Sequence, residues 1–155
     1  MMKRILFVCH GNICRSAMAK MIMQHLLRQQ QLTSHFEIDS CATSTEEIGN
    51  DIYPPAKRCL TQHGIAILPH AARQITRADY EYFDLILCME HYNIRNLRYT
   101  LGEDLLAQDQ FLPQPKIRRL LNRDVADPWY TRDFEVTYND LWEGCMGLIE
   151  EYKPA

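Results

Sequence analysis

Short apolar runs alternate along this chain with stretches in which apolar residues recur every three or four positions. Ile5-Leu6-Phe7-Val8 is the first run and reads as a buried strand. Ala19, Ile22, Met23, Leu26 and Leu27 follow at helical spacing and should face a core. Phe36-Glu37-Ile38-Asp39-Ser40 reads as a short second strand. Pro54-Pro55 opens a helix through Cys59 and Leu60 that ends near Gly64, with proline first and glycine last. Thr76 is placed to cap a further short helix beginning at Arg77. Phe83 to Met89 is apolar nearly throughout, the pattern of an interior parallel strand. A helix around Tyr92 to Arg98 follows, then a weak strand near Gln110-Phe111-Leu112. The last helix has the clearest stripe: Phe134, Tyr138, Leu141, Trp142, Cys145, Leu148, Ile149 and Tyr152 share one face, with Asp133 as the candidate cap.

Strands alternating with helices predict an α/β fold, a single-domain sandwich over residues 1–155 with a central four-stranded parallel sheet and helices on both faces. Ligands of such sheets bind at the carboxyl ends of the strands, and the first strand ends at Cys9. A chain of 155 residues buries a sufficient core without cross-links, and 46% hydrophobic with 24% charged residues is ordinary for a globular protein. A formal charge of −3 and the lack of any basic run argue against a nucleic-acid binder. Met1-Met2-Lys3-Arg4 imitates the start of a signal peptide, but the apolar run stops at Cys9, and no segment is long enough to span a membrane. The six cysteines lack the density of secreted scaffolds, so a reducing cytoplasm is expected.

The chemistry concentrates in Val8-Cys9-His10-Gly11-Asn12-Ile13-Cys14-Arg15-Ser16, between the first strand and the first helix. A strand-to-helix turn aims backbone N–H groups and the positive end of a helix dipole at one point, which makes an anion site suited to phosphate. Cys9 can face the middle of that site, and Arg15 adds a planar cationic fork that fits two phosphate oxygens. Gly11 and Asn12 tolerate the left-handed backbone angles that turn amides inward, while the Ser16 hydroxyl can cap the helix or donate to the sulfur anion. Taken singly, Cys9 could be a small core residue and Arg15 a solvated one; their conjunction points to a thiolate beneath a phosphoryl group. Cys9 and Cys14 could also be half of a metal site, but Cys41, Cys59, Cys88 and Cys145 are scattered without the paired short spacings of structural zinc. Neither a metal nor another cofactor is expected.

A phosphoryl group leaving an alcohol or phenol needs a proton donor opposite the nucleophile, and Asp127 in Asp127-Pro128-Trp129-Tyr130 is the candidate. Proline restrains the preceding residue to extended conformations and so fixes where the carboxylate points. Trp129 and Tyr130 offer flat surface to flank an aromatic leaving group. Alone, the segment would read as an Asp-Pro turn; beside the Cys9 loop it reads as the acid.

The chain resembles the low-molecular-weight protein tyrosine phosphatase family from its first strand to its last helix. The family's C-x-G-N-x-C-R-S loop appears as Cys9 to Ser16, and its Asp-Pro-aromatic loop as Asp127 to Trp129. Asp39-Ser40 with Ala42-Thr43-Ser44, His70-Ala71-Ala72-Arg73-Gln74, and Asp84 to Glu90 with Asn93 resemble its internal signatures. The resemblance implies that Cys9 is the nucleophile and forms a phosphocysteine, that Arg15 and the amides from His10 through Gly11, Asn12, Ile13 and Cys14 to Arg15 bind phosphate, and that Asp127 is general acid and then base. It further implies that Asn12, Ser16, Ser40 and His70 hold the loop in shape, that Cys14 can form a reversible disulfide with Cys9, and that Ile13, Glu46, Trp129 and Tyr130 line the substrate cleft. Phosphotyrosine-containing proteins are then the substrates of a monomer, with inorganic phosphate as product and inhibitor. His70 is read as structural only, and His10 as tuning the thiolate or, in preference, facing solvent.

Three positions depart from the family pattern. Ala17 stands where proline is usual, and Glu90 replaces a common aspartate. Thr43-Ser44-Thr45-Glu46-Glu47 lacks the aromatic wall residue of many members, so Glu46 or Glu47 should occupy that wall and weaken ring stacking there. A protein arginine phosphatase of the same fold is the alternative, although those enzymes resemble this pattern with threonine where Ile13 stands. A thiol-dependent arsenate reductase would need a relay cysteine near Cys88, which lies in an apolar strand. A non-catalytic phosphate-binding module would be expected to lack Cys9, Arg15 or Asp127, and all three are present.

Overall fold

The structure, a computed structural model, describes residues 2–155. Four strands, β1 (Lys3–Cys9), β2 (Phe36–Ala42), β3 (Leu85–Cys88) and β4 (Ile117–Arg119), alternate among the described residues with one 3-10 turn, Thr33–His35, and eight α-helices. These are α1 (Arg15–Gln29), α2 (Pro54–Gln62), α3 (Arg77–Tyr82), α4 (His91–Asn96), α5 (Arg98–Leu101), α6 (Glu103–Gln110), α7 (Pro128–Thr131) and α8 (Phe134–Tyr152). The sheet is wholly parallel in the order β2-β1-β3-β4. From β1 the chain crosses one way to β2 and then returns to the other side at β3. The reversal opens a crevice beyond the carboxyl end of β1, where doubly wound sheets bind ligands. Cys9 is the last residue of β1, paired with Ala42.

Two cores follow from the period-2 alternation of β1. Ile5, Phe7 and Cys9 face a larger core with α1, α2 and α8; Leu6 and Val8 face a smaller one with Cys41, Ile86, Cys88, Leu97, Leu101 and Leu105. Helix α1 is sandwiched between sheet and α8, which explains why Ala17, Met18, Ala19, Met21, Ile22 and Met23 are all fully buried. Thr76 caps α3 by accepting the Asp79 N–H, and Asp133 caps α8 by accepting the Val136 N–H, as the sequence predicts. No helix among the described residues is long and apolar enough to cross a membrane.

Two expectations fail on the far side of the sheet. The helix expected around Tyr92 to Arg98 is two helices, α4 and α5, joined at Leu97. The strand expected near Gln110-Phe111-Leu112 does not form; α6 runs to Gln110, Phe111 is its exposed cap, and the fourth strand is Ile117–Arg119. The cause is a buried carboxylate rather than a hydrophobic run. Asp109 accepts the N–H groups of Lys116 at 3.0 Å and Ile117 at 3.2 Å, and the Tyr80 hydroxyl at 2.7 Å, which delivers the chain to the edge of β3. Only Ile117 of the short β4 is buried, so periodicity carries almost no signal there.

Candidate active site

Residues 10–14 connect β1 to α1 in one tight loop. The N–H groups of His10, Gly11, Ile13, Cys14 and Arg15 donate to no protein acceptor among the described residues, which leaves them open to an anion at the α1 N-terminus. The Asn12 N–H differs: it points at the Cys9 Sγ, 3.3 Å away. Ser16 Oγ lies 3.0 Å from the same sulfur and does not cap α1. The Asn12 N–H and the Ser16 hydroxyl, which also donates to the Cys41 carbonyl at 3.3 Å, thus fix the position of the Cys9 sulfur.

Asn12 carries the left-handed turn, at φ 62°, whereas Gly11 does not have a positive φ. Gly11 instead sits where a Cβ would come within 3.4 Å of the Glu47 side chain, an ordinary contact. The fully buried Asn12 side chain donates to Ser16 Oγ at 2.8 Å and Ser40 Oγ at 3.0 Å, and its Oδ1 accepts the Arg73 N–H at 3.2 Å. His70 Nε2 donates to the Asn12 carbonyl at 2.7 Å. The four residues expected to support the loop therefore form one bonded network behind it, none of them lining the cleft.

Burial lowers the His70 pKa from 6.5, outweighing the opposite pull of the Asn12 carbonyl. The folded state then binds this proton less readily than the unfolded chain, so stability from this group is complete above the unfolded value and falls as pH drops toward the folded one. Thermal unfolding from about pH 7 to 5 should show a smaller acid-side loss for His70→Gln than for the wild type. Equal slopes would remove His70 from the account.

Arg15 is 2% exposed, at the first position of α1. Its Nη1 donates to Glu90 Oε2 at 2.7 Å and to the Val125 carbonyl at 2.9 Å, and its Nη2 to Asp127 Oδ2 at 3.3 Å. Burial alone would weaken the cation; the adjacent Cys9, Asp127 and Glu90 reverse that and raise its pKa. Asp127 is the cap of α7, accepting the Trp129 N–H at 3.0 Å with one oxygen while the other meets Arg15. Cys14 is buried, and burial followed by the nearby Cys9 and Asp127 pushes its thiol pKa well up. All six cysteines are free thiols.

A cleft of about 210 Å³ is lined by Cys9, His10, Gly11, Ile13, Cys14, Arg15, Glu46, Glu47, Asp127, Trp129 and Tyr130. It unites the loop, the candidate acid and the four residues expected to form the substrate walls. His10 is not simply turned to solvent. Its Nε2 lies 2.8 Å from Glu46 Oε2, and the Ser44 hydroxyl donates to the His10 carbonyl at 2.9 Å, so the acidic segment is fastened to the loop. Three participants escaped sequence reasoning. Glu90, noted only as a departure, grips Arg15; its signal was an acid directly after a buried strand adjacent to β1. Tyr53, with its ring centroid 4.8 Å from that of Trp129, backs the aromatic wall. The Val125 carbonyl is a backbone acceptor that no side-chain pattern reports.

The chain matches the model of the low molecular weight phosphotyrosine protein phosphatase family over residues 4–154. It is 37% identical over 153 residues to the low molecular weight phosphotyrosine protein phosphatase of Gallus gallus, covering 96% of this chain and 95% of that protein. The crystal structure of YfkJ from Bacillus subtilis is similar with a TM-score of 0.86 and 33% identity, covering 99% of this chain and 98% of that one. That of a Drosophila arginine phosphatase is similar with a TM-score of 0.80 and 28% identity, covering 97% and 98%. A parallel sheet whose first strand delivers a cysteine to an amide-lined loop thus coincides with a match over nearly the whole length, and the chain belongs to the low molecular weight phosphotyrosine protein phosphatase family.

Proposed function

We propose that Cys9, Arg15 and Asp127 carry phosphotyrosine hydrolysis, with residues 1–155 acting as one phosphatase domain. Membership of the family makes the protein a protein tyrosine phosphatase, a phosphoric monoester hydrolase. The observation that supports these roles is the meeting, in one cleft, of a doubly hydrogen-bonded sulfur, unpartnered loop amides, and a guanidinium that touches a carboxylate.

Cys9 Sγ attacks phosphorus as the bond to the phenolic oxygen breaks, and protonated Asp127 gives its proton to that oxygen. The amides of the loop and Arg15 bind the three remaining phosphate oxygens, where charge spreads in the transition state. Asp127 then takes a proton from water as it attacks the phosphocysteine. The S–P bond breaks and inorganic phosphate leaves. As product it fits the same amides and competes with substrate. Trp129, Tyr130 and Ile13 flank the ring, and Glu46 and Glu47 form an acidic wall that disfavours acidic sequence around the phosphotyrosine. In this reading the protein acts as a monomer in the cytoplasm, where a thiol nucleophile stays reduced.

Hydrolysis of p-nitrophenyl phosphate should persist in excess chelator. Asp127→Asn should lower kcat by about 10²–10⁴-fold on phenyl phosphate, and far less on esters with acidic phenols that need no proton. A uniform loss across leaving groups would remove Asp127 as the acid. The similarity to an arginine phosphatase makes phosphoarginine the competing substrate class; faster turnover of phosphoarginine than of phosphotyrosine would establish that alternative.

A further inference from the structure

We propose that Cys59, His63 and Glu135 form a second site, outside the catalytic cleft, for a divalent transition-metal cation of the zinc class. Cys59 and His63 stand four residues apart at the carboxyl end of α2 and therefore share a face. Glu135, in the first turn of α8, reaches toward both. His63 Nε2 lies 2.8 Å from Glu135 Oε2, Cys59 Sγ lies 3.6 Å from Oε1, and the three ligating atoms fall within 4.8 Å of one another. Tetrahedral zinc with sulfur, nitrogen and oxygen ligands sets such atoms about 3.3–3.6 Å apart, so little movement separates this arrangement from a coordination shell.

The donors are held in place before any ion arrives. The His63 ring stacks on Tyr138 at 3.8 Å between centroids and 9° between planes. Cys59 is 4% exposed, with its sulfur also near the Phe134 carbonyl at 3.7 Å. Without a cation, the Cys59 S–H and the His63 N–H each donate to one oxygen of a single carboxylate. A dication replaces both hydrogen bonds. The thiol proton goes to solvent, and the imidazole presents an unprotonated Nε2 to the ion, keeping its N–H on Nδ1. Soft thiolate with imidazole selects zinc-class ions over magnesium or calcium.

The ion would pin the end of α2 to the start of α8. It takes no part in hydrolysis, since none of its ligands lines the cleft. The search for short Cys–Cys spacings passes over this site because its thiolate is single and its carboxylate lies more than seventy residues downstream.

The test titrates cobalt(II) into the full-length Cys9→Ser protein, in which the active-site thiol cannot compete. One cobalt per chain should bind with a thiolate-to-cobalt charge-transfer band and tetrahedral d–d absorption, and zinc should displace it. Affinity should rise with pH, as release of the Cys59 thiol proton on binding requires. Adding Cys59→Ser should abolish the charge-transfer band, and His63→Gln or Glu135→Gln should each weaken binding at least about tenfold. Cys59→Ser with Cys9 intact should still hydrolyse p-nitrophenyl phosphate, which shows that it folds; if it does not, the two glutamine variants carry the test. No band at millimolar cobalt, or a band that survives these changes, overturns the proposal and leaves the phosphatase reading untouched.

Discussion

Cys9→Ser should reduce kcat on aryl phosphates by on the order of 10⁴–10⁶-fold, the scale on which removal of a covalent nucleophile acts. The substitution is nearly isosteric and leaves the loop its five open amides, so the phosphate cradle survives. What disappears is the sulfur nucleophile. At Cys9, the Asn12 N–H at 3.3 Å and the Ser16 hydroxyl at 3.0 Å hold the sulfur where it can attack phosphorus. A serine hydroxyl in the same place stays protonated at neutral pH, and among the described residues no histidine hydrogen-bonds Cys9 to take its proton. Binding and chemistry should therefore separate. The variant should retain competitive inhibition by inorganic phosphate, within a few fold, while the pre-steady-state burst of phenol vanishes. A burst that persists in Cys9→Ser would place the nucleophile elsewhere; a variant that neither turns over nor binds phosphate would mean that the sulfur shapes the loop rather than reacting from it.

The centre of this site was legible because the features that build it are local. A strand, a loop and a helix start lie within consecutive residues, so one segment declares both the sulfur and the amides around it. Asp127 was legible through the proline that follows it. The remainder depends on contacts between distant segments. Asn12 joins Ser40, 28 residues away, and accepts from Arg73, 61 residues away; only the family resemblance suggested such a network. Glu90 reaches Arg15 across 75 residues. Its sequence neighbourhood says that an acid ends a strand, but not which cation it meets. The tie from His10 to Glu46 was hidden for the same reason, because Glu46 comes to it from beyond β2. In the fold, β1 and β3 showed their apolar runs plainly. The edge strand β4 did not, because a buried Asp109 rather than a run of buried side chains places it. Tertiary polar contacts, not propensity, mark the limit of what the sequence discloses.

Arg15→Lys should lower kcat/KM by about 10³–10⁵-fold, although charge is conserved. The guanidinium has five N–H groups. Both hydrogens of Nη1 are taken, one by Glu90 at 2.7 Å and one by the Val125 carbonyl at 2.9 Å, which fixes the plane of the group. Nε and Nη2 remain as a parallel fork for two phosphate oxygens, with Asp127 beside Nη2 at 3.3 Å. An ammonium has three hydrogens and no plane. If it satisfies Glu90 and Val125 it has one left for phosphate; if it turns to phosphate, it leaves a 23%-exposed carboxylate and a buried carbonyl without partners. Either choice damages the transition state more than the ground state, since the equatorial oxygens gain charge only as the phosphoryl group moves. The loss should therefore fall mainly on kcat, with a smaller rise in KM. Adding Glu90→Gln should restore part of the rate to the lysine variant, because it frees the ammonium from its strongest competitor, whereas Glu90→Gln alone should slow the wild type by letting the guanidinium turn. Rates for Arg15→Lys within tenfold of the wild type would show that charge alone suffices here, and that the fork held by Glu90 and Val125 is packing rather than catalysis.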